Sequence, residues 1–300
     1  MTDYRQNLLF GAFITPVVRP ALQAVELAQV ADRAGLDLVT FQDHPYQPTF
    51  HDTWTLLSYV ASLTKQIHVS GNVLNLPLRQ PAVLARSAAS LDLLSGGRLE
   101  LGLGAGGFWH AIEAMGGRSL EPGQSIVALE EAITIIREIW ATDQPGGARV
   151  NGTYYQVSGI KRGPRPAHDI GIWIGAYKPR LLKLTGRVGD GWLPSLAYLP
   201  GGLTDLVEMN KHIDEGAALA GREPSKIRRL LNISGQFTRS GRSLLNGPPQ
   251  QWAEELASMT LTHGITGFIF AADDAPSIEL FAAEVAPATR ELVAAERTRR

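Results

Sequence analysis

Short apolar segments alternate with longer amphipathic segments along almost the whole sequence. The apolar segments have the composition of β-strands and are Leu8–Ile14, Leu36–Phe41, Ile67–Leu74, Arg98–Gly104, Ile170–Gly175, Gly191–Ser195, Arg228–Phe237 and Gly267–Ala272. The predicted helices that follow them are Leu22–Ala34, Thr53–Leu63, Pro81–Leu94, Gly123–Ala141, Pro179–Val188, Leu203–Ala220, Pro248–Thr262 and Ser277–Ala295. Strands that alternate with helices indicate βαβ units and a parallel sheet. Eight such units in 300 residues favour a (β/α)8 TIM barrel over a doubly wound sheet.

One segment, Asp143–His168, interrupts this alternation between the fourth and fifth strands. Within it, Arg149–Val157 contains Asn151-Gly152, a pair typical of a two-residue hairpin turn. We therefore expect one barrel domain over residues 1–300, with a β-hairpin insertion at about 143–168.

Composition excludes several classes of function. The chain has no cysteine, which rules out a disulfide scaffold, a thiolate nucleophile and any cysteine-ligated metal. Its 28 basic residues against 29 acidic ones supply no basic excess, so a nucleic-acid partner is not expected. The sequence contains no apolar run of about 18 residues, and its polar first residues do not resemble a secretory signal. We expect no membrane association and a cytoplasmic location.

The chemistry of a TIM barrel lies at the carboxyl ends of its strands. Asp43-His44 follows the second predicted strand, where a histidine can transfer a proton or orient a substrate near neutral pH. The neighbouring carboxylate can raise the basicity of the imidazole. The same pair could instead cap a helix or anchor a turn. A second pair, His51-Asp52, places Asp52 as the N-cap of the second helix.

Two glycine-containing segments follow the fourth and fifth strands. Gly102–Gly107 formally matches G-x-G-x-x-G, but it lies outside the first βαβ unit, so we do not expect a dinucleotide fingerprint. Its glycines indicate instead a close approach of the backbone to a flat ligand. Gly175–Arg180 opens a helix, and its N–H groups with Lys178 predict a phosphate site. A simple capping turn is the alternative.

Other catalytic patterns are missing from the sequence. The histidines of the first half, His44, His51, His68 and His110, form neither H-x-H nor H-E-x-x-H, so we expect no metal site. There is no G-x-S-x-G elbow to indicate a serine nucleophile.

Four segments together carry a family resemblance that runs from Phe10 to Ser195. They are Asp43-His44, Asn72–Pro81, Ser95–Gly106 and Trp173–Trp192, and the hairpin sits where the family places one. With these segments the sequence resembles the luciferase-like flavin-dependent oxidoreductases, the bacterial luciferase superfamily. The resemblance implies a TIM barrel that binds either reduced FMN, used with dioxygen, or the deazaflavin coenzyme F420. In that family the peptide bond matching Asn72-Val73 is often cis.

The resemblance also implies roles for individual residues. It makes His44 an acid/base or substrate-orienting group held by Asp43. It implies a cofactor site made of Asn72, Val73, Gly104, Ala105, Gly106, Gly175, Ala176, Tyr177, Lys178 and Ser195. An apolar or aromatic substrate pocket would contain Tyr46, Phe108, Trp109 and Tyr198.

The sequence departs from the family at one point that bears on the substrate. Deazaflavin-dependent sugar dehydrogenases carry a glutamate in the loop after the fourth strand, where this chain has Gly106-Gly107-Phe108. We therefore expect either monooxygenation of a small organic substrate or hydride transfer, with sugar dehydrogenation in doubt. A separate flavin or deazaflavin reductase and a homodimer are the expected partners. A metal-dependent hydrolase and a non-catalytic flavin-binding barrel are the alternatives.

Overall fold

A closed parallel barrel forms the centre of the computed structural model, which describes residues 3–241 and 243–299. Its strands are β1 (Leu9–Ile14), β2 (Leu38–Phe41), β3 (His68–Gly71), β4 (Leu99–Gly104), β5 (Ile172–Ile174), β6 (Gly191–Trp192), β7 (Arg228–Ile233) and β8 (Gly267–Ala271). Each strand pairs in parallel with the next, and β8 pairs with β1 to close the barrel. The predicted TIM barrel is thus confirmed.

Helices surround the barrel. They are α1 (Gln23–Arg33), α2 (Thr53–Leu63), α3 (Pro81–Ser95), α4 (Trp109–Ala114), α5 (Pro122–Trp140), α6 (Pro179–Val188), α7 (Asp205–Leu219), α8 (Pro249–His263), α9 (Ala275–Leu280) and α10 (Ala286–Arg299). The sequence predicted one helix where α9, a π-helical turn at Phe281–Val285 and α10 follow one another. It also missed α4, which is only six residues long. No helix in the described part of the chain combines the length and apolar composition needed to cross a bilayer.

Strand alternation divides the apolar side chains into two layers. Along β1, Phe10, Ala12 and Ile14 pack in the large cluster beneath the helices. Leu9 and Phe13 belong instead to a smaller cluster, because neighbouring residues of a strand point to opposite faces. That cluster fills the barrel interior and includes Leu38, Trp173, Leu193, Leu230 and Ile269. The cavity described below lies on top of this interior layer.

Local sequence signals fix where the helices of the first half begin and end. The Asp52 carboxylate accepts the N–H of Thr55 and caps α2, as predicted. Pro81 occupies the first turn of α3, and Gly96 ends that helix in the left-handed region at φ 73°.

A β-hairpin lies between β4 and β5, as the sequence predicted, but its turn differs. Ala148–Asn151 pairs in antiparallel fashion with Gln156–Ile160, so the turn spans 152–155. The prediction of a two-residue turn at Asn151-Gly152 is therefore wrong. The reason is Glu131 of α5, whose carboxylate accepts the backbone N–H groups of Thr153, Tyr154 and Tyr155 at 2.6–2.9 Å. These three bonds hold a wider turn against α5.

Candidate functional site

A cavity of about 650 Å³ opens at the carboxyl ends of the barrel strands. The predicted site residues that line it are Asp43, His44, Tyr46, Asn72, Val73, Gly104, Ala105, Gly106, Phe108, Trp109, Gly175, Tyr177, Lys178, Ser195 and Tyr198. The structure thus brings together residues from loops that are far apart in the sequence. Ala176 is the exception, because it is fully buried outside the lining and its carbonyl accepts the indole N–H of Trp192 at 2.9 Å.

The carboxylate of Asp43 is engaged by groups other than His44. Its side chain is fully buried, and it accepts Arg79 Nε at 2.8 Å, Arg79 Nη2 at 2.7 Å and the backbone N–H of Asn75 at 2.8 Å. The expectation that Asp43 holds His44 is therefore wrong. The carboxylate binds the guanidinium because a buried charge needs an opposite charge and hydrogen-bond donors in contact.

His44 is held instead by an aromatic neighbour. Its Nδ1 lies 2.6 Å from the hydroxyl oxygen of Tyr46. The ring of Phe108 meets the imidazole edge-on, with 5.4 Å between centroids. Burial lowers the pKa of His44 and outweighs the charge of Asp43, which raises it. Burial thus favours the neutral imidazole, so the net shift is opposite to the raised basicity that the sequence suggested.

A chain of amide and hydroxyl groups crosses the floor of the cavity. Asn72 Nδ2 donates to Asn232 Oδ1 at 2.7 Å and lies 3.1 Å from Thr40 Oγ1. Asn232 Nδ2 in turn donates to Ser195 Oγ at 3.0 Å. These bonds join β2, the end of β3, β7 and the end of β6 into one polar layer. The Asn72-Val73 peptide bond within it is cis.

Gly104 at the end of β4 and Gly175 directly after β5 make room for a side chain of the protein itself. A Cβ on Gly104 would lie 2.8 Å from Val73 Cγ2, and a Cβ on Gly175 would lie 3.2 Å from the same atom. The sequence analysis assigned these glycines to the approach of a flat ligand. The structure places Val73 between them, so the surface offered to a ligand there is the valine.

An orphaned polar atom lies in the same wall of the cavity. Asn75 Oδ1 is buried and has no hydrogen-bond partner among the described residues, although Asn75 lines the cavity. A buried acceptor without a partner costs about 1–3 kcal/mol, so it fits a ligand that brings an N–H donor. A flavin or deazaflavin ring carries such a donor on its pyrimidine edge.

The loop after β4 forms the outer wall. Gly106 has φ 114°, a value that favours glycine, and a Cβ there would collide with the ring of Trp109. Phe108 also has a positive φ, 55°, and its side chain is 71 % exposed at the mouth of the cavity. Together with Tyr46 and with Tyr198 on the facing side, these rings give the entrance an aromatic lining.

One end of the cavity is positively polarised. The amino terminus of α6 lies there, and Lys178, its N-cap residue, lines the cavity. Next to it, the hydroxyl oxygen of Tyr177 accepts the backbone N–H of Ser195 at 2.8 Å. Exposed helix N–H groups together with an ammonium group suit an anion such as a phosphate.

Sequence reasoning missed several lining residues. They are Phe13, Gln42, Leu74, Asn75, Pro122, Ser125, Ile126, Leu181, Leu193 and Asn232. Asn232 had a visible signal, because it is the one uncharged polar residue in the apolar strand β7. Asn75 lay inside a segment used for the family resemblance but was not itself singled out.

Comparison with known proteins identifies the family. The family model described as luciferase-like monooxygenase matches residues 10–240. An F420-dependent glucose-6-phosphate dehydrogenase of Amycolatopsis mediterranei (strain U-32) is 30% identical over 81% of this chain and 73% of its own length. A 5,10-methylenetetrahydromethanopterin reductase of Methanolobus tindarius is 31% identical over 73% of this chain, but the match spans only 63% of that relative.

The fold agrees with these sequence matches. An F420-dependent secondary alcohol dehydrogenase, solved in complex with an F420-acetone adduct, superposes with a TM-score of 0.79 over 95% of this chain and 99% of that chain, at 19% identity. The chain belongs to the luciferase-like monooxygenase family of oxidoreductases.

Proposed function

We propose that this protein transfers a hydride between coenzyme F420 and a small apolar or aromatic organic substrate. The observation that carries the proposal is the pairing of a half-buried His44, held by Tyr46, with an aromatic entrance above a fixed polar floor. The choice of F420 rests on sequence relatives at 30–31% identity that are named F420-dependent glucose-6-phosphate dehydrogenases.

The residues present fit such a cofactor. Asn75 Oδ1 offers an unused acceptor to the ring, and Val73 offers an apolar surface on which a flat ring can lie. Lys178 and the amino terminus of α6 suit the phosphate of the cofactor side chain. When bound, a deazaflavin supplies the two-electron hydride chemistry, and the protein supplies position and electrostatics.

His44 is the group we assign to proton transfer. Its Nδ1 is engaged with Tyr46, so Nε2 is the nitrogen left to face a substrate. In the oxidising direction Nε2 accepts the proton of a substrate hydroxyl, and in the reducing direction it returns that proton to the oxygen. Asp43 supports this role at a distance, since its bonds to Arg79 and Asn75 fix the backbone end of β2.

The cavity chemistry narrows the substrate class. Asp43 is the only residue with a carboxylate among the described residues that line the cavity, and that carboxylate is already bound by Arg79. Glu113 is exposed and outside the lining. A sugar with many hydroxyl groups would therefore find no free carboxylate in the described lining and would meet aromatic rings at the entrance, so we assign an apolar or aromatic substrate instead.

Titration with F420 and, separately, with FMN tests the proposal, with binding read by fluorescence. We expect micromolar binding of F420, and a loss of several-fold in affinity in Lys178→Ala because the ammonium group near the phosphate is removed. Lys161→Ala, which removes an exposed lysine outside the cavity lining, is the matched control and should bind normally. Failure of both cofactors to bind at micromolar concentration would contradict the proposal.

A monooxygenase that uses reduced FMN is the second candidate, and the matched family model favours it by its description. It predicts tighter binding of FMN than of F420, and oxygen consumption that depends on substrate. Hydride transfer to F420 under anaerobic conditions would exclude it as the main reaction. Either reaction would draw on a separate flavin or deazaflavin reductase where the substrate does not reduce the cofactor.

We also propose a homodimer formed through α2 and α3. An apolar groove of about 720 Å³ lies along these helices, where Leu94 is 87 % exposed and Val83 is 63 % exposed. Leu94→Glu should yield a monomer in light-scattering chromatography. Leu219→Glu, which alters an equally exposed leucine on α7, should leave the dimer intact.

We assign the whole chain to one domain in the cytoplasm, with no nucleic-acid or membrane partner, and limited proteolysis and cell fractionation would check these points. A non-catalytic barrel would bind cofactor yet show no turnover with any alcohol, aldehyde or ketone offered. A metal-dependent hydrolase would lose activity on chelation, whereas a deazaflavin enzyme would keep it.

A further inference from the structure

Three ligand-bearing side chains meet at the end of the barrel opposite the cavity. His68 begins β3, Glu100 is the second residue of β4, and His168 precedes β5 by four residues. One ligand atom from each lies within 4.8 Å of the other two. These three residues are far apart in the sequence, and only the parallel pairing of β3, β4 and β5 brings them together.

The distances within this cluster are too long for direct hydrogen bonds. Glu100 Oε1 lies 3.5 Å from His68 Nδ1 and 3.6 Å from His168 Nε2. Hydrogen bonds between nitrogen and oxygen are about 2.7–3.2 Å long. Two ligand atoms on a tetrahedral zinc ion, each at about 2.0–2.1 Å from the metal, are about 3.4 Å apart. Two edges of the cluster therefore have the spacing of atoms that share a central ion.

The orientation of His168 supports the same conclusion independently. Asp92, fully buried on α3, accepts His168 Nδ1 at 2.8 Å and the backbone N–H of His168 at 3.1 Å. With the Nδ1 proton directed at Asp92, the buried Nε2 has no hydrogen-bond partner among the described residues. It faces an oxygen of Glu100, whose other oxygen accepts the N–H of Gly171 at 2.8 Å. A carboxylate behind a histidine is the usual support of a metal ligand.

We propose that His68, Glu100 and His168 bind a divalent first-row transition-metal cation such as Zn²⁺. Two imidazoles and one carboxylate are a ligand set that suits this group of metals. The side chains of His68 and His168 are 37% and 30% exposed, so the ion has a path from solvent and a water molecule can complete its coordination. The ion would join the starts of β3 and β4 to the segment between the hairpin and β5. Its role there is structural, because the cavity lies at the other end of the barrel.

A proton is the competitor for the same position. The nearby carboxylate of Glu100, together with that of Asp92, raises the pKa of His168 despite its partial burial. Burial acts to raise the pKa of Glu100, but His168, His68 and Gly171 together keep it below the usual value. A protonated His168 between two carboxylates is thus the alternative to a bound cation, and the experiment must separate the two.

A titration of tag-free, EDTA-treated protein with zinc chloride at pH 7.5 distinguishes a bound cation from a bound proton. Isothermal calorimetry and thermal unfolding are the readouts. We expect one zinc ion per chain with micromolar or tighter affinity. A 100-fold excess over the dissociation constant should raise the melting temperature by about 5 °C. His68→Gln and His168→Gln should each weaken binding at least tenfold. His110→Gln, which removes a fully exposed histidine, is the matched control and should bind normally.

Two outcomes would overturn the proposal. Absence of zinc binding below millimolar concentration at pH 7.5 would show that the three side chains do not form a metal site. Unchanged binding in both glutamine variants would place the zinc elsewhere in the protein. If His168→Gln does not fold because Asp92 loses its partner, the more exposed His68→Gln decides the question alone.

Discussion

Arg79 binds the buried carboxylate of Asp43 through two nitrogens, Nε at 2.8 Å and Nη2 at 2.7 Å. The same Nη2 lies 3.1 Å from Asp52, the N-cap residue of α2. A planar guanidinium is suited to this paired contact, which a lysine could not reproduce. One arginine therefore fixes the end of β2, where His44 projects, relative to the start of α2.

Removal of the Arg79 charge should destabilise the fold strongly. Arg79→Met would leave Asp43 as an unpaired buried carboxylate, and we expect the free energy of unfolding to fall by about 3–5 kcal/mol. Urea unfolding measures the change. Arg33→Met, at an exposed position on α1, is the control and should cost less than about 0.5 kcal/mol. Equal effects of the two substitutions would show that the Asp43 contact contributes little.

The pH dependence of activity should reflect His44. Because burial lowers the pKa of this imidazole below its usual 6.5, the group is neutral at pH 7 and gains a proton only as the pH falls below 6.5. We expect kcat/KM to be constant near neutrality and to decline on the acid side of pH 6.5. His44→Gln should lose most of the activity together with this acid limb. The imidazole resonance in an NMR titration gives the pKa directly, and a value above 6.5 would contradict the assignment.

The barrel could be predicted because its pattern is local. Each strand is a short apolar run, and several helices carry their own start signals, such as Asp52 and Pro81, so neighbouring residues suffice. The hairpin turn could not be predicted, because Glu131, the residue that fixes it, lies 22 or more positions away in the sequence. Likewise the binding partner of Asp43 was missed because Arg79 is 36 positions distant. The sequence therefore identified the site residues at the strand ends. The contacts between side chains of different strands could be seen only in the closed barrel.

The polar layer formed by Asn72, Asn232 and Ser195 should affect both the stability of the fold and the binding of the cofactor. Asn232→Leu removes the donor to Asn72 Oδ1 and leaves Asn72 Nδ2 with Thr40 Oγ1 alone, so we expect a loss of about 1–3 kcal/mol in the free energy of unfolding. Ser195→Ala removes only one acceptor of the Asn232 side chain and should cost less. We also expect Asn232→Leu to weaken cofactor binding more than Ser195→Ala does. Urea unfolding and fluorescence titration of the three proteins provide the comparison, and the reverse ranking would argue against a coupled layer.

The space beside Val73 should be sensitive to a single methyl group. In Gly104→Ala the new Cβ would lie 2.8 Å from Val73 Cγ2, which is closer than van der Waals contact allows. Val73 has little freedom to move away, because its branched side chain also lies directly beside Gly175. We expect a loss of about 1–3 kcal/mol in the free energy of unfolding, as for other overpacked sites.

Two further variants distinguish crowding at Val73 from a general intolerance of substitutions at the end of β4. Gly107→Ala, three residues on, places its Cβ in open space and should leave the stability of the cofactor-free protein unchanged. Val73→Ala combined with Gly104→Ala should recover most of the loss, because the clashing methyl groups of the valine are then gone. Should the double variant remain as unstable as Gly104→Ala, the glycine would be required by the backbone rather than by the valine side chain.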